Sequence, residues 1–130
     1  MLAVNGGDTE DYQMRGKAVT VEPPLFIAIP TTSGTGAEAT KTSVVINNNN
    51  HLKRSLYHNT MIADVVVLDP SLTLALPPRI TAATGMDALS HAIESYVSLN
   101  ATPITEMYGL KAIELVNKYL EEAYRNPDNL

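Results

Sequence analysis

No cysteine occurs in the 130 residues, which excludes disulfide bonds and removes thiolate from the possible metal ligands. Any bound metal must be held by imidazole and carboxylate, a donor set that suits iron, zinc or manganese. Basic residues are also few, nine against fourteen acidic, for a net charge of −5. No cluster of Lys and Arg stands out that could neutralise a run of phosphates, so no nucleic-acid partner is expected. Long apolar runs are missing, and the opening MLAVNGGDTEDY has neither a basic flank nor an apolar core. The expectation is no membrane partner, no export signal and a cytoplasmic location. Aromatics are scarce at 5%, yet apolar residues reach 45%, enough for an ordinary soluble globular chain with a core.

What is present changes character along the chain. Up to Pro23-Pro24 the residues are rich in glycine and charge and read as a connection with at most a short helical turn. Leu25 to Ile29 is an apolar run without alternation, expected to be a strand covered on both faces, and Pro30 ends it before a polar turn. Lys41 to Ile46 alternates as a strand, with Leu52 to Tyr57 as its hairpin partner across Asn47 to Asn50, residues that accept left-handed backbone angles. Val65 to Leu68 reads as a further buried strand closed by Asp69-Pro70. From about Thr81 helical periodicity takes over, with one helix near Ala82 to Val97. A second is opened by Thr102 as N-cap and Pro103 at the first helical position, and runs to Arg125 or Asn126 ahead of Pro127. Ile104, Tyr108, Leu115, Tyr119 and Ala123 lie along one side of it, expected to pack on the first helix. The expected class is α/β, with residues 1–77 in one domain and 78–130 opening a helical one.

The segment GMDALSHAIE, Gly85 to Glu94, places Asp87 and His91 four residues apart in one amphipathic helix. At 3.6 residues per turn such side chains lie one above the other, so a carboxylate oxygen and an imidazole nitrogen can converge on one cation. Met86, Leu89, Ile93 and Val97 fall on a different arc, expected to pack inward. The plainer alternative is an Asp and a His bonded to each other on a solvated face. PTTSGTGAEAT, Pro30 to Thr40, offers hydroxyls at Thr31, Thr32 and Thr35, glycines at 34 and 36, and free amides from a helix starting near Ala37. Such a turn can wrap an anion or a ribose, and it follows a strand, where open α/β sheets bind ligands. Serine, threonine and glycine also dominate ordinary structural turns.

Taken together, AIPTTSGTGAEAT (Ala28 to Thr40), MIADVVVLDPSLTLALPP (Met61 to Pro78) and TAATGMDALSHAIESYVS (Thr81 to Ser98) resemble the iron-containing, or group III, alcohol dehydrogenases. The three motifs stand in order and at the right spacing, and NGGDTEDY (Asn5 to Tyr12) resembles the family's link from its glycine-rich nucleotide-binding helix to the next strand. The resemblance implies a dehydroquinate-synthase-like fold: an α/β nucleotide-binding domain, whose end this chain holds, followed by the first helices of an all-helical metal-binding domain. It implies that Asp87 and His91 are metal ligands. It also implies that Thr31, Thr32, Gly34 and Thr35 belong to the cofactor-contacting turn, with Thr42 and Lys53 as further contacts. Thr42 stands where some members carry a polar amide, and a lone Lys such as Lys53 is otherwise a solvated hairpin charge.

The implied activity is metal-dependent hydride transfer between a small alcohol or aldehyde and NAD or NADP, with Fe2+ as the metal and Zn2+ as the alternative. A homo-oligomer is expected, covering exposed sheet edges. The resemblance further implies that complete members are much longer, with additional metal-binding histidines beyond residue 130 and the pyrophosphate turn before Met1. His51 and His58 are expected to be ordinary surface residues. Three readings follow: the central piece of an alcohol dehydrogenase; an inactive truncated fragment that folds and binds nucleotide or metal weakly; and a structural fragment in which Asp87 and His91 bond each other. The zinc-dependent glycerol dehydrogenase branch shares the fold, but TTSGTGAE and GMDALSH are closer to the iron branch.

Overall fold

The computed structural model describes residues 2–13, 16–47 and 51–129, and the chain divides into two compact units. The first runs to Ile29 and resumes over Ala37–Val67; the second takes Pro30–Gly36 and the described chain from Leu68 onward. No helix among the described residues is long and apolar enough to cross a membrane.

The first unit opens with two short helices, α1 (Leu2–Asn5) and α2 (Thr9–Gln13). It continues through β1 (Ile27–Ala28), a 3-10 turn at Ala37–Ala39, β2 (Thr42–Ile46), β3 (Lys53–Tyr57), a 3-10 turn at Asn59–Met61 and β4 (Val65–Val66). The hairpin is antiparallel as expected, in register from Thr42 opposite Tyr57 to Ile46 opposite Lys53. Its faces are the reverse of a simple apolar-inward pattern. Leu56 is buried, with Ser43 and Val45 half-buried on its side, whereas Val44 and Ile46 lie on the open face with Thr42, Lys53, Ser55 and Tyr57. Helix α2 is fastened to the hairpin by Gln13, which donates to the Arg54 carbonyl at 3.2 Å, and by Glu10, which accepts from the Asn47 side chain at 3.0 Å. Asn48 to Asn50 of the expected turn lie outside the described residues. Among the described residues of this connection, His51 takes a left-handed angle, at φ 55°.

Strands β1 and β4 pair in parallel, Ile27 opposite Val65 and Ala28 opposite Val66. They are clasped at one end, where the Asp64 carboxylate accepts the Phe26 amide at 2.8 Å and the Phe26 carbonyl accepts the Asp64 amide at 2.9 Å. The expectation of two buried strands is corrected here. Each is two residues long, and Leu25 and Leu68 beside them are 70% and 69% exposed. A parallel pair is covered only by further strands and by helices packed on its faces. Among the described residues β1 and β4 have only each other as ladder neighbours.

In the second unit a 3-10 turn at Pro70–Thr73 precedes α3 (Pro78–Val97) and α4 (Pro103–Arg125). Helix α3 starts a turn earlier than its periodicity suggests, because Pro78 at the first position needs no amide partner. Interior hydroxyls are satisfied along the helix: Thr84, Ser90 and Ser95 donate to the carbonyls of Ile80, Met86 and Ala92. Helix α4 begins as expected, with Thr102 and Thr105 exchanging side-chain and backbone hydrogen bonds in a capping box.

Where α3 and α4 meet, small residues make the room: Gly85 receives the Leu120 side chain, and Gly109 lies against Ala92 and Ser95. A Cβ on Gly85 would run into Leu120, and one on Gly109 would stand 2.8 Å from Ser95 Oγ and 2.9 Å from the Ala92 carbonyl. Gly85, Ala92 and Gly109 are buried, while Met86, Ile93, Val97, Ile104, Tyr108, Leu115 and Tyr119 are all more than 40% exposed. Both inward arcs expected from the large apolar residues are therefore corrected. Glycine in a helix interior costs about 1 kcal/mol relative to alanine, so its placement at 85 and 109 reflects close helix approach.

Candidate functional site

Asp87 and His91 occupy consecutive turns of α3 on one side of the helix, with His91 Nε2 3.8 Å from Asp87 Oδ1. That separation is too long for a direct hydrogen bond but within ion-pair reach, so the two groups are close neighbours on one side of the helix. Both side chains stay accessible, 53% exposed for His91 and 44% for Asp87. An exposed pair of this kind contributes at most about 1 kcal/mol to stability, which leaves the fold a weak reason for its presence.

The donors fit a divalent metal. Two ligands about 2.1 Å from one ion in tetrahedral geometry stand roughly 3.4 Å apart, so the observed spacing needs to close by only a few tenths of an ångström. The set is partial, because no group of three or more His, Asp or Glu side chains converges among the described residues. Neither other histidine joins it. His51 is exposed at the hairpin end, and half-buried His58 caps the 3-10 turn at Asn59–Met61, its Nδ1 accepting the Thr60 amide at 3.2 Å.

The hydroxyl-rich turn belongs to the same compact unit as α3. Thr31 and Thr35 are exposed and Thr32 is half-buried. Gly34 and Gly36, which look equivalent in the sequence, differ in structure. A Cβ on Gly34 would stand 2.7 Å from both the Cβ and the carbonyl oxygen of Thr84, so this glycine is required by contact with α3. Gly36 has φ 60° and open space around it, so the turn is approachable at Gly36, Thr31 and Thr35. The expected helix at Ala37 is a single 3-10 turn of three residues in the other unit, which withdraws the free amides expected of a helix start.

Thr42 and Lys53 lie in the first unit, on the open face of the hairpin, at opposite ends of the ladder. Four residues of strand separate their positions, about 13 Å. Thr42 is half-buried and Lys53 exposed. Thr84 was not among the residues legible from sequence. It reads there as an ordinary helix threonine, and the only hint was Gly34, which is assigned from the sequence to the cofactor-contacting turn and whose partner lies far along the chain.

The geometry thus seats a polar turn on the helix that carries Asp87 and His91, and similarity to known proteins supplies the family. The profile described as iron-containing alcohol dehydrogenase matches residues 1–70, and that described as the C-terminal part of the Fe-containing alcohol dehydrogenase family matches residues 81–130. A sulfoacetaldehyde reductase of Bilophila wadsworthia is 48% identical over 130 residues, covering 99% of this chain and 33% of the relative. Alcohol dehydrogenase 4 of Schizosaccharomyces pombe is 45% identical over 126 residues, covering 97% of this chain and 30% of the relative. Among solved structures, the sulfoacetaldehyde reductase of Bifidobacterium kashiwanohense in complex with NAD+ superposes with a TM-score of 0.90 at 40% identity, over 98% of this chain and 34% of that one. The chain spans about a third of the length of the relatives it matches. With both profiles matched in order and the fold shared, the chain belongs to the iron-containing alcohol dehydrogenase family.

Proposed function

We propose that this chain carries the central part of an NAD(P)-dependent, metal-assisted alcohol dehydrogenase, which interconverts a small alcohol and its aldehyde. The observation that carries the reading is the Asp87–His91 pair, accessible and 3.8 Å apart on one side of α3, with the hydroxyl-rich turn seated on the same helix. Asp87 and His91 would hold a divalent metal, which would supply Lewis-acid polarisation of the substrate oxygen, and the hydroxyl-rich turn would hold a nicotinamide coenzyme as hydride acceptor or donor.

The chain's own residues do the holding. Asp87 contributes carboxylate oxygens and His91 an imidazole nitrogen, and both depend on α3 for direction. Gly85 and Gly109 let that helix approach α4 closely, so the two ligands share one packed element. Thr31, Thr32 and Thr35 offer hydroxyls for coenzyme oxygens, and Gly36 leaves the backbone open there. Thr42 and Lys53, in the first unit, present a hydroxyl and a positive charge on one hairpin face, groups suited to an anionic coenzyme. Iron is favoured as metal by the family. NAD is favoured as coenzyme by the relative solved with NAD+. In this reading residues 1–77 belong to the nucleotide-binding part and 78–130 to the metal-binding part.

A second reading has its own support. Only two candidate ligands converge among the described residues, which favours weak metal or nucleotide binding without turnover by this length of chain. Anaerobic titration with ferrous ion separates the two. Micromolar binding abolished by both Asp87→Ala and His91→Ala, accompanied by aldehyde-dependent NADH oxidation, is expected for the enzyme reading. Binding only in the millimolar range, with no oxidation, assigns the chain to the second. Binding indifferent to both substitutions removes the metal edge altogether.

A further inference from the structure

Gly34 does not owe its identity to backbone conformation, because its φ lies outside the left-handed region. What bars a side chain there is α3. A Cβ would meet Thr84 Cβ and the Thr84 carbonyl oxygen at 2.7 Å and Thr84 Cα at 3.0 Å, and two of those three atoms are helix backbone. The remaining one is also fixed. The Thr84 hydroxyl turns back along the helix, donating to the Ile80 carbonyl at 3.0 Å with the Thr81 carbonyl at 3.3 Å, which holds the side chain in one rotamer. None of these atoms can give way cheaply. Thr84 lies three residues before Asp87 and seven before His91, close to one and two helical turns.

We propose that Gly34 and Thr84 form a positioning seat, which registers the turn 31–35 on the metal-bearing helix and makes nucleotide and metal affinities depend on each other. The inference rests on the functional reading above, in which the turn takes the coenzyme and Asp87 and His91 the metal. Thr84 touches neither ligand and acts through the turn. A ligand that orders the turn holds it against a fixed point of α3 just before Asp87, and a metal that stiffens this part of α3 steadies the surface on which the turn rests. Linkage makes the two effects equal in magnitude. Gly36 supplies the internal contrast: its Cβ would meet nothing, so substitution there strains the turn without lifting it from α3.

The test uses the whole 130-residue chain, titrated anaerobically with ferrous ion in the presence and absence of NAD+, as parent, Gly34→Ala and Gly36→Ala. In the parent NAD+ is expected to tighten ferrous binding by about fivefold or more, with the same factor for ferrous ion on NAD+. Gly34→Ala should erase that factor while leaving ferrous affinity measured alone unchanged, a combination that general unfolding would not give. Gly36→Ala should weaken NAD+ and retain the factor. Coupling that survives Gly34→Ala, or that is absent from a parent binding both ligands, overturns the seat. If the parent binds neither ligand, the functional reading fails by itself, and amide hydrogen exchange decides the seat. Loss of protection by about tenfold over residues 31–36 in Gly34→Ala, with α3 still protected, upholds it; equal protection in parent and variant overturns it.

Discussion

Helices α3 and α4 come together closely at Gly85 and Gly109, while strands β1 and β4 meet over two residues each and leave their apolar side chains in the open. Both pairs are built from apolar sequence, and the difference lies in where their partners come from. The helices are neighbours in the chain, joined by a short connection with Thr102 capping the second, so each finds its partner nearby. The strands are parallel and separated by more than thirty residues, and only further strands and covering helices would hide their faces. Among the described residues the helix pair, close in the chain, is packed at its contact, and the parallel pair, joined over a long separation, stays open.

The sharpest way to break this contrast is at Leu56, the buried leucine of the strand-containing unit. Leu56→Ala should cost about 2–5 kcal/mol of that unit's stability. Urea melts followed both by helical circular dichroism and by hydrogen exchange of the hairpin amides should show the hairpin lost first. If the helical signal falls in step with the hairpin, the two regions are one cooperative unit and the contrast does not hold.

Gly109→Ala attacks the other side of it. The added methyl would press on the Ala92 carbonyl and Ser95 Oγ, groups that belong to α3 itself, and an overpacked contact of this kind costs about 1–3 kcal/mol despite alanine's better helix propensity. Thermal unfolding of the helical signal should shift down. A neutral or stabilising result would mean that α3 and α4 can separate slightly without loss, and that their small-residue contact is not what holds them.

The smallest effect concerns the entry to the helical unit. The Ser71 hydroxyl at 2.6 Å and the Ser71 amide at 2.9 Å hold the Asp69 carboxyl below the usual carboxylate range. A depressed folded-state pKa gives a contribution that is full above the unfolded-state value and disappears as pH falls through the folded-state one. Asp69→Ala should therefore be slightly less stable than the parent at neutral pH, and the gap should close in strong acid. Chemical melts of the two proteins at both conditions check the sign; a gap that persists in acid would mean the side chain acts through shape and not through charge.

Most of what proved legible in the sequence was local. Thr102-Pro103 fixed the start of α4, Pro127 its end, and the alternation at Thr42, Val44 and Ile46 the hairpin. The i, i+4 rule placed Asp87 beside His91. What escaped was direction. The faces of α3 and α4 were assigned by residue size, whereas close helix approach selects for the absence of a side chain, and a glycine leaves no periodic apolar signal. The open face of the hairpin was likewise hidden, since alternation marks two faces without saying which one is covered. Gly34 and Gly36 show the same limit at the site. Identical in sequence and two residues apart, one answers to Thr84 and the other to its own backbone angle.

The order in which the chain visits its two units has one more consequence. It passes from the first to the second after Ile29, returns after Gly36 and leaves again after Val67. A protease that nicks the exposed backbone near Gly36 would therefore not release one intact unit from the other. It would yield an amino-terminal piece that keeps α2 and β1 in the first unit and the turn in the second, held without covalent bonds by Glu10 and Gln13 on the hairpin, by the Phe26–Asp64 clasp and by Thr84. Such a piece should migrate with the remainder under native conditions and part from it only in denaturant, as a wedge comes free only when both jaws are opened.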